Sequence, residues 1–225
     1  MEGVEKDYDI SWYVKGNYYF EITTREELYG LMYLSASNDF TDVVFKLGAD
    51  IVVNEGKAAE WEKEVPEFSW YGIRRFNGTF DGQGHTISGL YGKGFEIRMA
   101  LFADSKKSCT VKNFSLVNSY FETSGHRGTA SIVSHGGGKF TKIYSDAIIV
   151  HRGENVGGIA SSIDEQATFE ECWFDGDINI TNRDCGGIVD EVLGARVTIK
   201  HCLFSGSISS IYDVGGTRTG GLIGR

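Results

Sequence analysis

Three stretches decide the reading: FTKIYSD (140–146), FEECWFD (169–175) and IKHCLFS (199–205). Phe140, Phe169 and Ile199 stand 29 and 30 residues apart, and Val111 precedes Phe140 by 29. Phe114, Ile143, Cys172 and Cys202 take the same steps, as do Leu116, Ser145, Phe174 and Phe204. A second block, Gly157-Gly158-Ile159, returns as Gly186-Gly187-Ile188 and Gly220-Gly221-Leu222, with Ala130-Ser131-Ile132 as a degenerate first copy. Self-similarity at this period is the mark of a solenoid. A unit of this length holds about three short strands and cannot bury a face alone, so stacked copies must share one apolar interior. The predicted fold is all-β: a right-handed parallel β-helix of about 29-residue rungs. Equivalent residues then lie about 4.8 Å apart from rung to rung. The repeats run about 110–138, 139–166, 167–195 and 196–225, with the paired glycines at the corners.

Upstream, FNGTFDGQGHTISGLY (76–91) reads as strand, turn, strand, because its glycines allow sharp turns and Thr86-Ile87-Ser88 alternates. Thr24-Arg25-Glu26-Glu27 is a capping box, and Leu28, Leu31 and Met32 continue at helical spacing, which predicts a helix over about 25–36. VVFKLGADIVV (43–53) predicts a strand pair with a turn at Gly48. Residues 54–75 read as a long loop pinned by Trp61, Pro66, Trp70 and Tyr71. The aromatics of the first 22 residues, Tyr8, Trp12, Tyr13, Tyr18, Tyr19 and Phe20, are expected to form a packed lid rather than a sugar-stacking surface. The chain thus divides into an N-terminal cap with one α-helix (1–75) and the β-helix (76–225). A solenoid needs both ends closed. No cap follows the last repeat, and GGLIGR stops in mid-pattern, so a C-terminal truncation is expected. Met1 is likewise expected to replace a natural leader.

Composition narrows the function. Thirty glycines and one proline favour many tight turns between short strands. A net charge of −9 argues against sequence-independent binding to nucleic acid or to an anionic membrane. No apolar run reaches the length of a membrane-spanning helix, so no membrane insertion is expected.

The segments ITTREELYGLMYL (22–34), FKLGADIVV (45–53) and 76–91, with Trp12 and the repeated Gly-Gly-Ile blocks, resemble the GLUG-repeat proteins over roughly residues 10–225. These are secreted or surface-displayed β-helix proteins of bacteria, and related repeats occur in the N-terminal regions of immunoglobulin-A-specific metalloproteases. The resemblance implies an extracellular or cell-surface location and no single activity, since a fold does not fix a function. Two steps depart from the family pattern: Ala100-Leu101-Phe102-Ala103 in place of Gly-Leu-Phe-Gly, and Ala130-Ser131 in place of Gly-Gly. The first rung is therefore expected to be irregular.

Chemistry is sparse. HExxH, GxSxG and a P-loop are absent, and the five histidines are not at metal-ligand spacing. In the rung register Asp146 lies over Asp175, with Ser205 next. Two stacked carboxylates repel, which raises a pKa or recruits a cation, so this pair is the calcium candidate, against the plainer reading of two solvated acids. Lys142, Glu171 and His201 share a column, and Glu170 stacks on Lys200, as ordinary charge ladders. If Ile143, Cys172 and Cys202 face inward, the neighbouring Tyr144, Trp173 and Leu203 face outward as a candidate docking stripe, unless a loop or a downstream region covers it. Cys172 and Cys202 are expected to stack as a reduced, buried thiol ladder, with a disulfide as the alternative. The expectation is a monomeric, non-enzymatic binding module for a host protein, immunoglobulin included, or a host glycan. Its alternatives are an accessory domain of a surface protease or polysaccharide-active enzyme, and a structural stalk.

Overall fold

Every named strand pairs with its neighbours in parallel, and the pairs are one rung apart. The structure, a computed structural model, describes residues 7–181, 184–210 and 218–224. The last repeat, 196–225, therefore lies partly outside the described residues. A long sheet collects one strand or more from each turn, along a path of Tyr19–Ile22, Val44–Leu47, Thr79–Asp81, Thr110–Val117, Val133–Ser145, Ala160–Phe174 and Val189–Val192. A second sheet stacks Tyr91–Phe95, Tyr120–Gly125, Ile148–Gly153, Asp177–Ile180 and Ser207–Ser210, and a third stacks Val156–Gly157, Asp184–Gly186 and Arg218–Gly220. This is a parallel β-solenoid. The columns read from the sequence are its registers: Val111 pairs with Phe140, Phe140 with Phe169, and Phe169 with Ile199.

Parallel walls need an apolar bore, because neither the strands nor the corners have another place to bury their inward side chains. Phe80, Phe102, Phe121, Phe140, Phe169 and Phe174 are fully buried there. Phe140 stacks on Phe169 at 5.0 Å between ring centroids. A plain strand would not place Phe140 and Ile143 on one face, since their spacing is odd. Lys142 between them has φ of 54°, as do Glu171 one turn on, Asn113 at 59° one turn before, and His201 at 52° after. A left-handed residue of this kind resets the alternation, as a bulge does, and lets Phe140 and Ile143 both face inward.

The N-terminal end carries the expected helix. The helix Arg25–Ser35 begins at the capping box, with the Glu27 N–H donating to Thr24 Oγ1 at 3.2 Å and the Thr24 N–H to Glu27 Oε2 at 3.1 Å. Its Leu28 and Leu31 are fully buried. Trp12 packs edge-on against Phe20 and Phe45, and Tyr8 stacks on Tyr33. Tyr18 and Tyr19 stay exposed.

The strands around Gly48 do not pair with each other. Val44–Leu47 lies between Tyr19–Ile22 and Thr79–Asp81, whereas Ile51–Val52 pairs with Thr86–Ser88. Gly48 is thus a bend within one turn and not a hairpin, as parallel stacking requires. In the 54–75 loop, Asn54 donates to the carbonyls of Phe68 and Gly89, both at 2.8 Å. Trp70 is fully buried, with its indole N–H on the Ala100 carbonyl at 3.1 Å. Trp61 packs on Tyr91, and Tyr91 stacks on Tyr120, outside the bore. Tyr71 is exposed and pins nothing.

The second sheet holds a buried titratable group. His151 is fully buried; its Nδ1 lies 2.8 Å from Thr123 Oγ1 and 3.1 Å from Thr129 Oγ1, and its Nε2 lies 2.7 Å from the Glu154 carbonyl. A carbonyl only accepts, so Nε2 carries the proton and Nδ1 accepts from a hydroxyl. Burial pushes its pKa from 6.5 down to about 4. Between those values the unfolded chain binds the proton and the folded one does not, so stability is full above pH 6.5 and falls as the pH drops toward 4. The loss is about 3 kcal/mol across that window. Urea midpoints measured at pH 7, 5.5 and 4.5 should show this slope, and His151→Gln should flatten it. An equal slope in the variant would assign the acid sensitivity to other groups.

Candidate functional site

The left-handed column and the outward stripe lie side by side on the long sheet, and between them runs an open groove of about 620 Å³. Gln83, Asn113, Lys142 and Glu171 border it on the side of the bends, and Tyr144 and Trp173 on the other. Tyr144 and Trp173 are register partners, with their rings meeting edge to face at 5.0 Å. Trp173 is 42% exposed. Its indole N–H donates to Ser205 Oγ at 2.6 Å, and Ser205 in turn donates to Asp175 Oδ1 at 2.6 Å. The ring is therefore held from the next turn while its face stays open. Leu203 follows Trp173 in register and is 50% exposed, but it lies beyond the groove.

Asp146 and Asp175 stand beside the groove without lining it. Asp146 Oδ1 accepts the Asn118 N–H at 2.7 Å. Burial raises the Asp146 pKa, and the charge of Asp175 adds to it. Among the described residues no three His, Cys, Asp or Glu side chains gather as a metal site. The stacked pair thus brings two carboxylates where calcium prefers six to eight oxygens. Glu170 and Lys200 are register partners, yet among the described residues neither they nor Lys142 and Glu171 reach ion-pair distance, and Lys142 and Glu171 frame the groove instead.

All four cysteines are free, with Cys109, Cys172 and Cys185 buried and Cys202 half-buried. The thiol ladder is therefore exposed at one step. Hydrogen bonding from Cys172 pulls Cys202 down to about 7 and pushes Cys172 up.

Lys142 and Glu171 were legible as a column but not as a groove wall, since nothing in their residue types announces φ > 0. The signal available was the odd spacing of the inward residues on either side of them. Fold and surface together define a β-solenoid with an aromatic-edged groove on its flank. Comparison with protein-family models, with curated proteins and with solved structures gives no match. Among the described residues no helix is long and apolar enough to cross a membrane.

Proposed function

We propose that the chain is a non-enzymatic binding module of a secreted or cell-surface bacterial protein, engaging a host glycan or host protein through the Tyr144–Trp173 flank. The observation that carries this reading is Trp173: an open indole face, fixed by Ser205 and Tyr144, beside a polar groove. A rigid aromatic offers a large contact area at little entropic cost, and here it does so next to groups that can hydrogen-bond a ligand. Kinship with the GLUG-repeat proteins belongs to the same proposal and rests on the 76–91 motif and the Gly-Gly-Ile blocks. An immunoglobulin ligand rests on that kinship alone.

The test is capture. The protein is immobilised, mucosal secretion and serum are passed over it, and the retained component is identified. Trp173→Ala should keep the circular dichroism spectrum and reduce retention at least tenfold. A variant that retains the same component equally well would remove this flank as the site.

A further inference from the structure

A second surface carries a different chemistry. Two adjoining hollows of about 320 and 290 Å³ share Glu96, Arg98 and Arg127. Arg74 extends one of them, and His126 and His135 line the other. None of these residues borders the Trp173 groove. Arg98 and Arg127 lie 29 residues apart, each just past a strand of the second sheet, so the solenoid brings successive turns to one cleft.

Three arginines are gathered here in a chain of net charge −9, with no carboxylate at ion-pair distance from any of them among the described residues. Arg25 and Arg152 pair with Glu26 and Glu122. Among the described residues, the guanidinium groups of Arg74, Arg98 and Arg127 close no such pair, and His135 alone meets an acid, Asp164 at 3.1 Å. Arg98 is half-buried. Burial presses its proton off, Asp104 and Asp164 hold it on, and the charge of Arg127 adds to the pressure. The acids offset the mutual repulsion of Arg98 and Arg127 from beyond ion-pair distance, which leaves both guanidinium forks open to an oxyanion.

The cleft also holds acids. Glu96, Asp104 and Glu191 line it, with Ser162 donating to Glu191 Oε2 at 3.2 Å. A dense polyanion or an acidic peptide would meet repulsion there. A sugar carrying one acidic group among many hydroxyls meets both needs, since guanidinium forks take the oxyanion and carboxylates accept from hydroxyls. We infer that the Arg98–Arg127 cleft binds an oxyanion carried on a saccharide, a uronate carboxylate or an ester sulfate.

The test is titration calorimetry on the full chain with trigalacturonate, a sulfated trisaccharide, neutral maltotriose and sodium sulfate. At least one anionic saccharide should bind ten times more tightly than maltotriose, and which one does names the oxyanion. Its affinity should fall when NaCl is raised from about 50 to 300 mM. Arg98→Gln should weaken binding at least tenfold and the exposed Arg127→Gln at least threefold, each with an unchanged circular dichroism spectrum. Trp173→Ala should leave this affinity intact, which separates the cleft from the other flank. Four results would overturn the inference: no binding of either anionic saccharide, equal binding of maltotriose, sodium sulfate binding as tightly as the sulfated trisaccharide, or Arg127→Gln and Arg98→Gln both binding as the parent does.

Discussion

Phe169→Ala is expected to lower the free energy of unfolding by about 3–5 kcal/mol. The ring is fully buried, stacks on Phe140 with planes 10° apart, and lies between Phe140 and Ile199 in register. Removing it strips contacts from the turn above and the turn below together. In a solenoid, stability is roughly the sum of the turns and of their interfaces, so a loss at two interfaces does not stay local. The turns cannot collapse to fill the space, because the strand ladders hold them about 4.8 Å apart. Phe95→Ala is the control: that ring is 71% exposed and its loss should change stability by no more than about 0.5 kcal/mol. Urea titrations of both variants decide the matter, and a cost below about 1 kcal/mol at Phe169 would mean that the bore is not packed as described.

Gly158→Val is expected to prevent folding to a soluble state. A Cβ there would lie 2.1 Å from the Gly187 carbonyl oxygen and 2.6 Å from the Phe174 ring. The first obstacle is backbone of the next turn and the second is a fully buried core ring, so neither can move aside cheaply. Gly221 occupies the same corner two turns on, and among the described residues no atom lies within 4 Å of its Cβ position. Gly221→Ala should therefore express and melt as the parent does. Soluble yield and the melting curves of the two variants separate a steric requirement at the corner from a general dislike of side chains there. Equal behaviour of both would sink the steric account.

These glycines and the buried columns were readable in the sequence because the turns after residue 110 take 29, 29 and 30 residues in register. The same long sheet begins at Tyr19. Its register column Tyr19, Val44, Thr79 and Thr110 is separated by 25, 35 and 31 residues, and such uneven steps leave no period to detect. The extra length between Val44 and Thr79 is the loop that lays Trp61 on an outer face and brings Trp70 back into the core. The aromatic flank was readable from alternation alone. The Arg98–Arg127 cleft was not, although the 29-residue spacing was in plain view, because the arginines sit in corners whose shape no side-chain pattern encodes.

The serine contacts between successive turns, at and just before the second sheet, have a consequence for how such a chain can change over generations. Ser207 donates to Asp177 and Ser209 to Asn179, as Ser205 does to Asp175, so one turn greets the next with the same side-chain handshake three times over. The backbone partners repeat with equal fidelity: Ile178 sits between Ile149 and Ile208. A segment whose upper and lower surfaces match is a module, and its natural unit of gain or loss is the whole turn. Insertions of a few residues are absorbed where the chain leaves the walls, as between Val53 and Trp70, or in a local register shift, as between Ile163 and Ala167. Lineages carrying this architecture should therefore differ in length by multiples of about 29 residues in the regular half and by arbitrary amounts in the other, a signature that genomes record without any structure being solved.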